Sequence, residues 1–204
     1  MVLKRGALIA AALCLCGCLP RVEVRRLDKP AAVAVAFVRD PEHGGAVAAV
    51  PEALSKRVGE SLAARNLEVR EVPFGSVAAD FGAAPDSGLR YKKVAAEARG
   101  APLLLLVETR AAFFSQLSGR YRWTVYAKVT AGLAGAEPVS AELTVPALLD
   151  FNHEREPEAL AVAAPFIADR AGAIFDSFLA ASKLGTGTPK PQAPEPAIPA
   201  QPSP

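Results

Sequence analysis

The sequence predicts an α/β (α+β) fold: a two-layer domain whose mixed sheet of about five strands carries about three helices on one face. Three observations predict it. Residues 31–38 form a continuous valine-rich apolar run, which is typical of a buried strand. Apolar residues at helical spacing follow that run. Residues 120–130 alternate between apolar and polar side chains, as in a strand with one solvated side.

The first half of the predicted domain alternates strands with helices. Pro51 is suited to the first turn of a helix, because Leu54, Val58 and Leu62 follow it four residues apart and share one face. Asn66 tolerates the left-handed conformation in which such a helix stops. A short strand, a loop and a second helix are predicted next, at residues 67–72, 73–85 and from Asp86 or Ser87 to Gly100.

The second half begins with a buried strand at residues 102–107. Residues 120–130 then form the alternating strand, and residues 139–145 return as its hairpin partner. Apolar residues at helical spacing predict a last helix over residues 157–184, which Pro165 is expected to kink or restart. The predicted order is therefore strand, helix, strand, helix, three strands and helix.

Segments at both ends are predicted to lie outside this domain, which spans residues 31–184. Residues 1–17 are predicted to be a signal peptide, and residues 18–30 a lipidated amino terminus with a linker. Residues 185–204 are rich in proline and alanine and have too few bulky apolar side chains to fold, so we predict a disordered tail.

Residues 1–17 have the three zones of a secretory signal. Lys4 and Arg5 supply the positive start, residues 7–15 are uncharged, and Gly17 gives a small-residue exit. The apolar stretch is much shorter than the roughly 20 residues that a membrane-spanning helix needs. We therefore expect this segment to be removed rather than to anchor the chain.

The end of the signal resembles the lipobox of bacterial lipoproteins, in the sequence Leu15-Cys16-Gly17-Cys18. Only Cys18 follows a small residue and has a leucine three positions earlier. The resemblance implies lipid attachment to Cys18 and anchoring in a membrane. Leu19 stands where lipoproteins retained in the inner membrane often carry aspartate, which implies the outer membrane, with the domain facing the periplasm. The inner membrane and the cell surface stay open as alternatives.

The charge balance excludes a nucleic-acid partner. The whole chain has a formal net charge of +2, and removal of Lys4 and Arg5 leaves 21 basic against 21 acidic residues. Proteins that bind nucleic acid carry a basic stripe or patch, which a balanced chain with scattered charges lacks.

The order of elements also resembles a group of envelope lipoproteins. Residues 96–107, Ala-Glu-Ala-Arg-Gly-Ala-Pro-Leu-Leu-Leu-Leu-Val, carry the resemblance, because a helix that ends in glycine leads there into an apolar strand. The group includes the curli secretion channel lipoprotein, the penicillin-binding-protein activator lipoprotein and the amino-terminal domain of the Tol-Pal propeller protein. The resemblance implies a binding or assembly role at the cell envelope. The short connection at residues 108–119 offers no membrane-inserting hairpin, which argues against a channel.

The two histidines, His43 and His153, are the candidates for chemistry. His153 lies close in sequence to Asp150, Glu154 and Glu156, so a metal-dependent hydrolase is one alternative. Zinc ligands usually include a second histidine or a cysteine at short spacing, which this segment lacks. We therefore predict no enzyme, no metal and no cofactor.

The solvated side of the alternating strand is a candidate partner surface. It carries Arg120, Arg122, Tyr126 and Lys128, and arginine and tyrosine are common at binding hot spots. Two interpretations stay open: this side of the strand binds an anionic or peptide partner, or it is an ordinary solvent-exposed surface.

The sequence thus predicts a membrane-anchored periplasmic lipoprotein that binds an envelope protein or glycan without catalysing a reaction. Two alternatives remain: a hydrolase around His153 and a carrier of lipid or lipopolysaccharide. The chain resembles the lipopolysaccharide-assembly lipoprotein in architecture, but the characteristic residues of that protein after the cysteine are absent.

Overall fold

The computed structural model describes residues 26–41, 45–83, 86–117, 120–150 and 155–181. Cys18, His43 and His153 lie outside the described residues, as do the predicted signal peptide and tail. What the sequence predicts for them stays a prediction.

The described residues form five strands and four helices. The strands are β1 Ala31–Arg39, β2 Leu67–Glu71, β3 Leu103–Leu117, β4 Arg120–Leu133 and β5 Val139–Asp150. The helices are α1 Glu52–Ala63, α2 Phe74–Ala83, α3 Ser87–Glu97 and α4 Glu156–Ala181. The predicted α+β class is confirmed, with four helices in place of about three.

The strands form one mixed sheet in the order β2-β1-β3-β4-β5. β1 runs parallel to both of its neighbours, with Val35 opposite Glu71 of β2 on one side and Leu105 of β3 on the other. β3, β4 and β5 form an antiparallel meander. Parallel strands are usually covered on both faces, which explains why β1 and the start of β3 are continuous apolar runs.

α1 and α4 cover one face of the sheet and enclose the larger core. Val33 and Val35 of β1 pack there with Leu54 and Val58 of α1 and Leu160 of α4. All five side chains are fully buried. Burial of such a side chain contributes roughly 1.5–3 kcal/mol, so this core is the main source of apolar stabilisation.

α2 and α3 cover the second face of the sheet, over β1 and β3. Ala34 and Ala36 of β1 contribute to this smaller core together with Phe81 of α2 and Val94 of α3. Of the three predicted helices, α1 and α4 share one face, whereas α3 lies on the other face together with α2, which was not predicted. The prediction that the helices lie on one face was therefore wrong for α3, because the apolar runs of β1 and β3 are buried on both sides. These helices do not cover the second face of β4 and β5. The side chains at even-numbered positions of residues 120–128 and 142–150 lie on that face and are exposed or half-exposed.

Three differences from the sequence prediction have local causes. The predicted loop at residues 73–85 contains α2, because Val77 and Phe81 lie four apart and are buried together. In α3, Leu89 is exposed and Arg90 is buried in its place. α4 is continuous through Pro165, so the predicted restart is absent; Pro165 lies on the exposed side, where water can bind the carbonyl that the missing N–H leaves unpaired.

The turns and caps follow the sequence more closely. Asn66 adopts a left-handed φ of 63°, as predicted for the stop after α1. Asp86 caps α3, its side chain accepting a hydrogen bond from the amide of Leu89. Gly100 follows α3 with a φ of 77°, and Arg99 before it is also left-handed, at 47°.

The meander is longer than predicted. β3 continues ten residues past residue 107 to Leu117, and β5 extends to Asp150. The predicted short connection at residues 108–119 is therefore mostly strand. As a result the meander projects beyond the carboxyl end of β1, which pairs with β3 only as far as Thr109.

Candidate functional site

The four residues of the predicted partner surface lie on one side of β4. Arg120, Arg122 and Tyr126 are exposed and Lys128 is half-buried, whereas Val125 between them is fully buried. The exposed side of β3, β4 and β5 is called the open face below. It is built around Arg110, Phe114, Arg122, Thr124, Tyr126 and Pro146.

A β-bulge in β3 determines which side chains of that strand lie on the open face. The register of β3 against β4 shifts between Phe113 and Ser115, which makes Phe114 an extra residue. Because of the shift, Arg110 lies opposite Tyr126 rather than opposite a residue whose side chain faces the core. Sequence reasoning missed Arg110 and Phe114, because a regular hairpin would have placed them differently.

Two arginines of the open face stack on aromatic rings. The guanidinium carbon of Arg110 lies 5.0 Å from the ring centroid of Tyr126, and that of Arg122 lies 5.3 Å from the ring of Phe114. Such contacts contribute about 0.5–1 kcal/mol at exposed sites and keep each guanidinium group beside its ring. Among the described residues, neither arginine has a carboxylate within salt-bridge distance.

The other two cations pair with β5. Arg120 lies 3.5 Å from a carboxylate oxygen of Asp150, and Lys128 lies 3.8 Å from one of Glu142. Exposed pairs of this kind contribute about 0–1 kcal/mol to stability. The carboxylates of Asp150 and Glu142 thus compensate the positive charges at the two ends of the face. Among the described residues, the uncompensated positive charge of the face is that of Arg110 and Arg122.

Apolar side chains lie between and beside the stacks. Phe114 is 71% exposed and Leu148 is 58% exposed. Thr124 and Pro146 are cross-strand partners in the middle of the face, one row from each stack. Large exposed apolar side chains that cluster beside charged groups are typical of binding surfaces.

A cleft of about 410 Å³ opens at the end of the open face nearest β1. Asp40, Glu108, Arg110, Tyr126 and Lys128 are among the residues that line it. Clefts outside the carboxyl ends of parallel strands are common ligand sites, and here β1 ends just before Asp40.

A buried ion cluster forms the floor beside this cleft. Arg90 of α3 donates to both oxygens of Asp40, at 2.8 and 2.7 Å, and to Glu108 at 2.9 Å. It also donates to the carbonyl of Phe81 at the end of α2. The hydrogen bonds to Asp40 raise the pKa of the Arg90 guanidinium; burial opposes them and Glu108 adds to the increase. Arg90 is thus a permanent cation that joins α2 and α3 to the sheet.

The two described carboxylates of the His153 segment, Asp150 and Glu156, each pair with an arginine. Asp150 pairs with Arg120, and Glu156 pairs with Arg39 at the end of β1. Within the described ranges no group of three His, Cys, Asp or Glu side chains lies close enough to hold a metal ion. None of the described helices combines the length and the hydropathy that a bilayer crossing requires.

A second groove, of about 820 Å³, runs beside α4. Its walls include Arg57 and Glu60 of α1 and Phe166, Asp169 and Arg170 of α4. A carrier of acyl chains needs an enclosed apolar cavity, whereas this groove is open and bordered by charged side chains. The groove therefore does not favour the lipid-carrier alternative.

No family model matches the chain, and no curated protein matches it. Similar solved structures include a hypothetical protein from Chlamydia trachomatis, with a TM-score of 0.41, 10% identity and coverage of 74% of this chain and 99% of that one. A lipoprotein from Neisseria meningitidis has a TM-score of 0.40 and 13% identity over 70% of this chain and 99% of its own. The rare lipoprotein B from Shewanella oneidensis has a TM-score of 0.31 and 11% identity, and the match covers 73% of this chain and 96% of that one. Structural neighbours thus include bacterial lipoproteins, and function has to be inferred from this chain's own residues.

Proposed function

We propose that this chain is a lipid-anchored protein of the outer membrane whose periplasmic domain binds another envelope component, without catalysis, through the open face. One observation carries the proposal: two exposed arginines without carboxylate partners in the described residues lie stacked on rings, beside the exposed side chains of Phe114 and Leu148. Arginine and aromatic side chains arranged in this way supply most of the binding energy in many protein interfaces.

The anchor part of the proposal rests on the sequence before the domain. Cys18 ends a stretch that resembles a lipobox, and Leu27, near the start of the described residues, is buried in the larger core. The amide of Leu27 donates to the carbonyl of Arg65, and the side chain of Asn66 donates to the carbonyl of Leu27. The chain between Cys18 and Leu27 spans at most about 30 Å, so an acyl chain on Cys18 would hold this end of the domain near a bilayer.

The open face lies toward the other end of the molecule. Leu103 of β3 pairs with Val33 near the start of β1, on the side where the linker enters. From Leu103 to the bulge at Ser115, β3 rises by about 40 Å. A domain tethered at Leu27 can therefore present its open face to components away from the anchoring bilayer.

Mass spectrometry of the native protein tests the anchor. We expect the amino terminus of the mature chain to be Cys18 with diacylglycerol on its sulfur, and the C18S variant to lose membrane attachment. An unmodified Cys18, or a chain that still carries residues 1–17, would overturn this part of the proposal.

Photocrosslinking in cells tests the binding surface. A photoreactive residue in place of Thr144, which lies opposite Tyr126 on the exposed side of β5, should give a discrete crosslinked product. The same residue in place of Lys92, exposed on α3, is the matched control and should give none. Equal crosslinking from both positions, or none from position 144, would contradict a binding role for the open face.

A further inference from the structure

We propose that the open face recognises an acidic peptide segment of a protein partner, bound in extended conformation, with two carboxylates about 13 Å apart on either side of a small apolar residue. This inference rests on the proposed function and specifies the chemistry of the partner. The spacing and the charge of the two stacked arginines support it.

The spacing follows from the register of the meander. Arg110 is held at the position of Tyr126, and Arg122 lies four residues away along β4. Four residues of extended chain span about 13 Å, and a bound extended peptide has the same repeat. Acidic side chains at its positions i and i+4 would therefore meet the two guanidinium groups.

The row of side chains between the two arginine–ring contacts determines which residue fits at position i+2 of the peptide. Thr124 lies there between Ala112 of β3 and Pro146 of β5. None of the three carries a charge, and the two flanking side chains are apolar. A small apolar residue at position i+2 of the peptide would pack on Ala112 and Pro146 and leave the hydroxyl of Thr124 available to the peptide backbone. A glycan strand would instead place hydroxyl groups over Ala112 and Pro146, which offer no side-chain hydrogen bonds.

The stacking prepares the arginines for a carboxylate. Arg110 and Arg122 are exposed beside their rings, and a guanidinium group can bind both oxygens of a carboxylate through paired N–H groups. Restricting the side chain before binding lowers the entropy lost when the complex forms. Charge complementarity therefore selects an acidic partner at both ends of the row.

The chain's own carboxyl-terminal segment is a poorer occupant. Residues 182–204 contain Lys183 and Lys190 but a single acidic side chain, Glu195. That segment cannot supply two carboxylate side chains to Arg110 and Arg122.

The test uses the mature lipidated protein in detergent micelles and a labelled peptide, acetyl-Glu-Thr-Val-Thr-Glu-amide. Fluorescence anisotropy gives its dissociation constant beside that of the glutamine analogue, acetyl-Gln-Thr-Val-Thr-Gln-amide. We expect the analogue to bind at least tenfold more weakly, and R110Q and R122Q each to weaken binding of the acidic peptide about tenfold. R70Q, on edge strand β2, is the matched control and should stay within about twofold.

Several results would overturn the inference. Equal affinity for both peptides, or equal loss in R70Q and R122Q, would show that the stacked arginines do not read carboxylates. Tighter, Arg122-dependent binding of phosphatidylglycerol vesicles or of alginate would assign the face to a lipid surface or an acidic glycan instead. If position 144 still crosslinks while neither arginine variant changes peptide affinity, the inference fails and the proposed function stands. If peptide binding is as expected but position 144 gives no crosslink, the proposed function fails.

Discussion

Two pairs of arginines in this molecule behave in opposite ways. Arg90 and Arg65 are buried, with side chains 4% and 7% exposed, and each binds carboxylate oxygens directly. Arg110 and Arg122 lie on the surface and rest on aromatic rings. A buried charge is tolerated only when it is paired and hydrogen-bonded, whereas an exposed one can stay hydrated and available. Burial therefore separates arginines that hold the fold from arginines that can meet a partner.

Arg65 shows the structural role most simply. Its guanidinium donates to both oxygens of Asp176, at 2.9 and 2.7 Å, and to the carbonyl of Ser61 at 2.7 Å. Asp176 belongs to α4, while Arg65 and Ser61 lie at the end of α1. The pair thus joins the two helices that cover the larger core.

The largest effect is expected at Arg90. R90A leaves Asp40 and Glu108 together without their cation, so we expect the free energy of unfolding to fall by about 3–5 kcal/mol in chemical denaturation. R122A is the control from the exposed pair and should lower the same quantity by at most about 1 kcal/mol, the contribution of its ring contact. Similar losses for both variants would break the distinction between the two pairs.

Gly172 tests how tightly Arg65 is held. A Cβ at this position of α4 would overlap the guanidinium group of Arg65, which its bonds to Asp176 keep from moving away. We expect G172A to lower the free energy of unfolding by about 1–3 kcal/mol. G59A, in α1 with open space around its Cβ, should instead stabilise the protein by up to about 1 kcal/mol. Stabilisation by both substitutions would mean that Arg65 is free to shift.

Tyr91, the neighbour of Arg90 in α3, is buried as a neutral group rather than as a charge. Burial raises the pKa of its hydroxyl from 10.0 to about 12. The unfolded chain releases this proton at lower pH than the native protein, so its contribution to stability is complete below pH 10. That contribution should decrease by about 1.4 kcal/mol per pH unit through pH 10–12. Denaturation of wild type and Y91F at several pH values measures it; parallel curves would contradict the burial of this hydroxyl.

Arg99 destabilises the fold through its backbone conformation. Its φ of 47° is left-handed, a region that glycine adopts without strain. R99G should therefore raise the free energy of unfolding by about 1 kcal/mol. R57G, inside α1, is the control and should lower it by about 1 kcal/mol. A loss of stability in R99G would show that the side chain contributes contacts that outweigh the strain.

Much of the fold could be predicted because it follows from local patterns. The valine run of β1, the four-residue spacing in α1 and the cap at Asp86 each depend on a few neighbouring side chains. The alternation of β4 also identified which side chains lie on the exposed side from Arg120 to Lys128, although Thr130, which continues the alternation, is buried. α2 was missed because its glycines and the preceding proline are typical of loops, and those signals outweighed the spacing of Val77 and Phe81.

The rest depends on contacts between distant parts of the chain. Arg90 lies 50 residues from Asp40 and Arg65 lies 111 residues from Asp176, and no local pattern pairs them. The stack of Arg110 on Tyr126 requires the bulge in β3, which shifts the register by one residue. One residue decides which face a side chain occupies, so the full open face could not be derived from the hairpin alone.

Substitutions in the open face are expected to change binding much more than stability, so this face gives the most direct test. The double variant R110Q/R122Q removes both stacked guanidinium groups, and crosslinking from position 144 and the free energy of unfolding are measured on it together. We predict that the crosslinked product disappears while the free energy of unfolding falls by no more than about 2 kcal/mol, the sum of the two lost ring contacts. An undiminished crosslink in a stably folded double variant would contradict the claim that these arginines serve recognition.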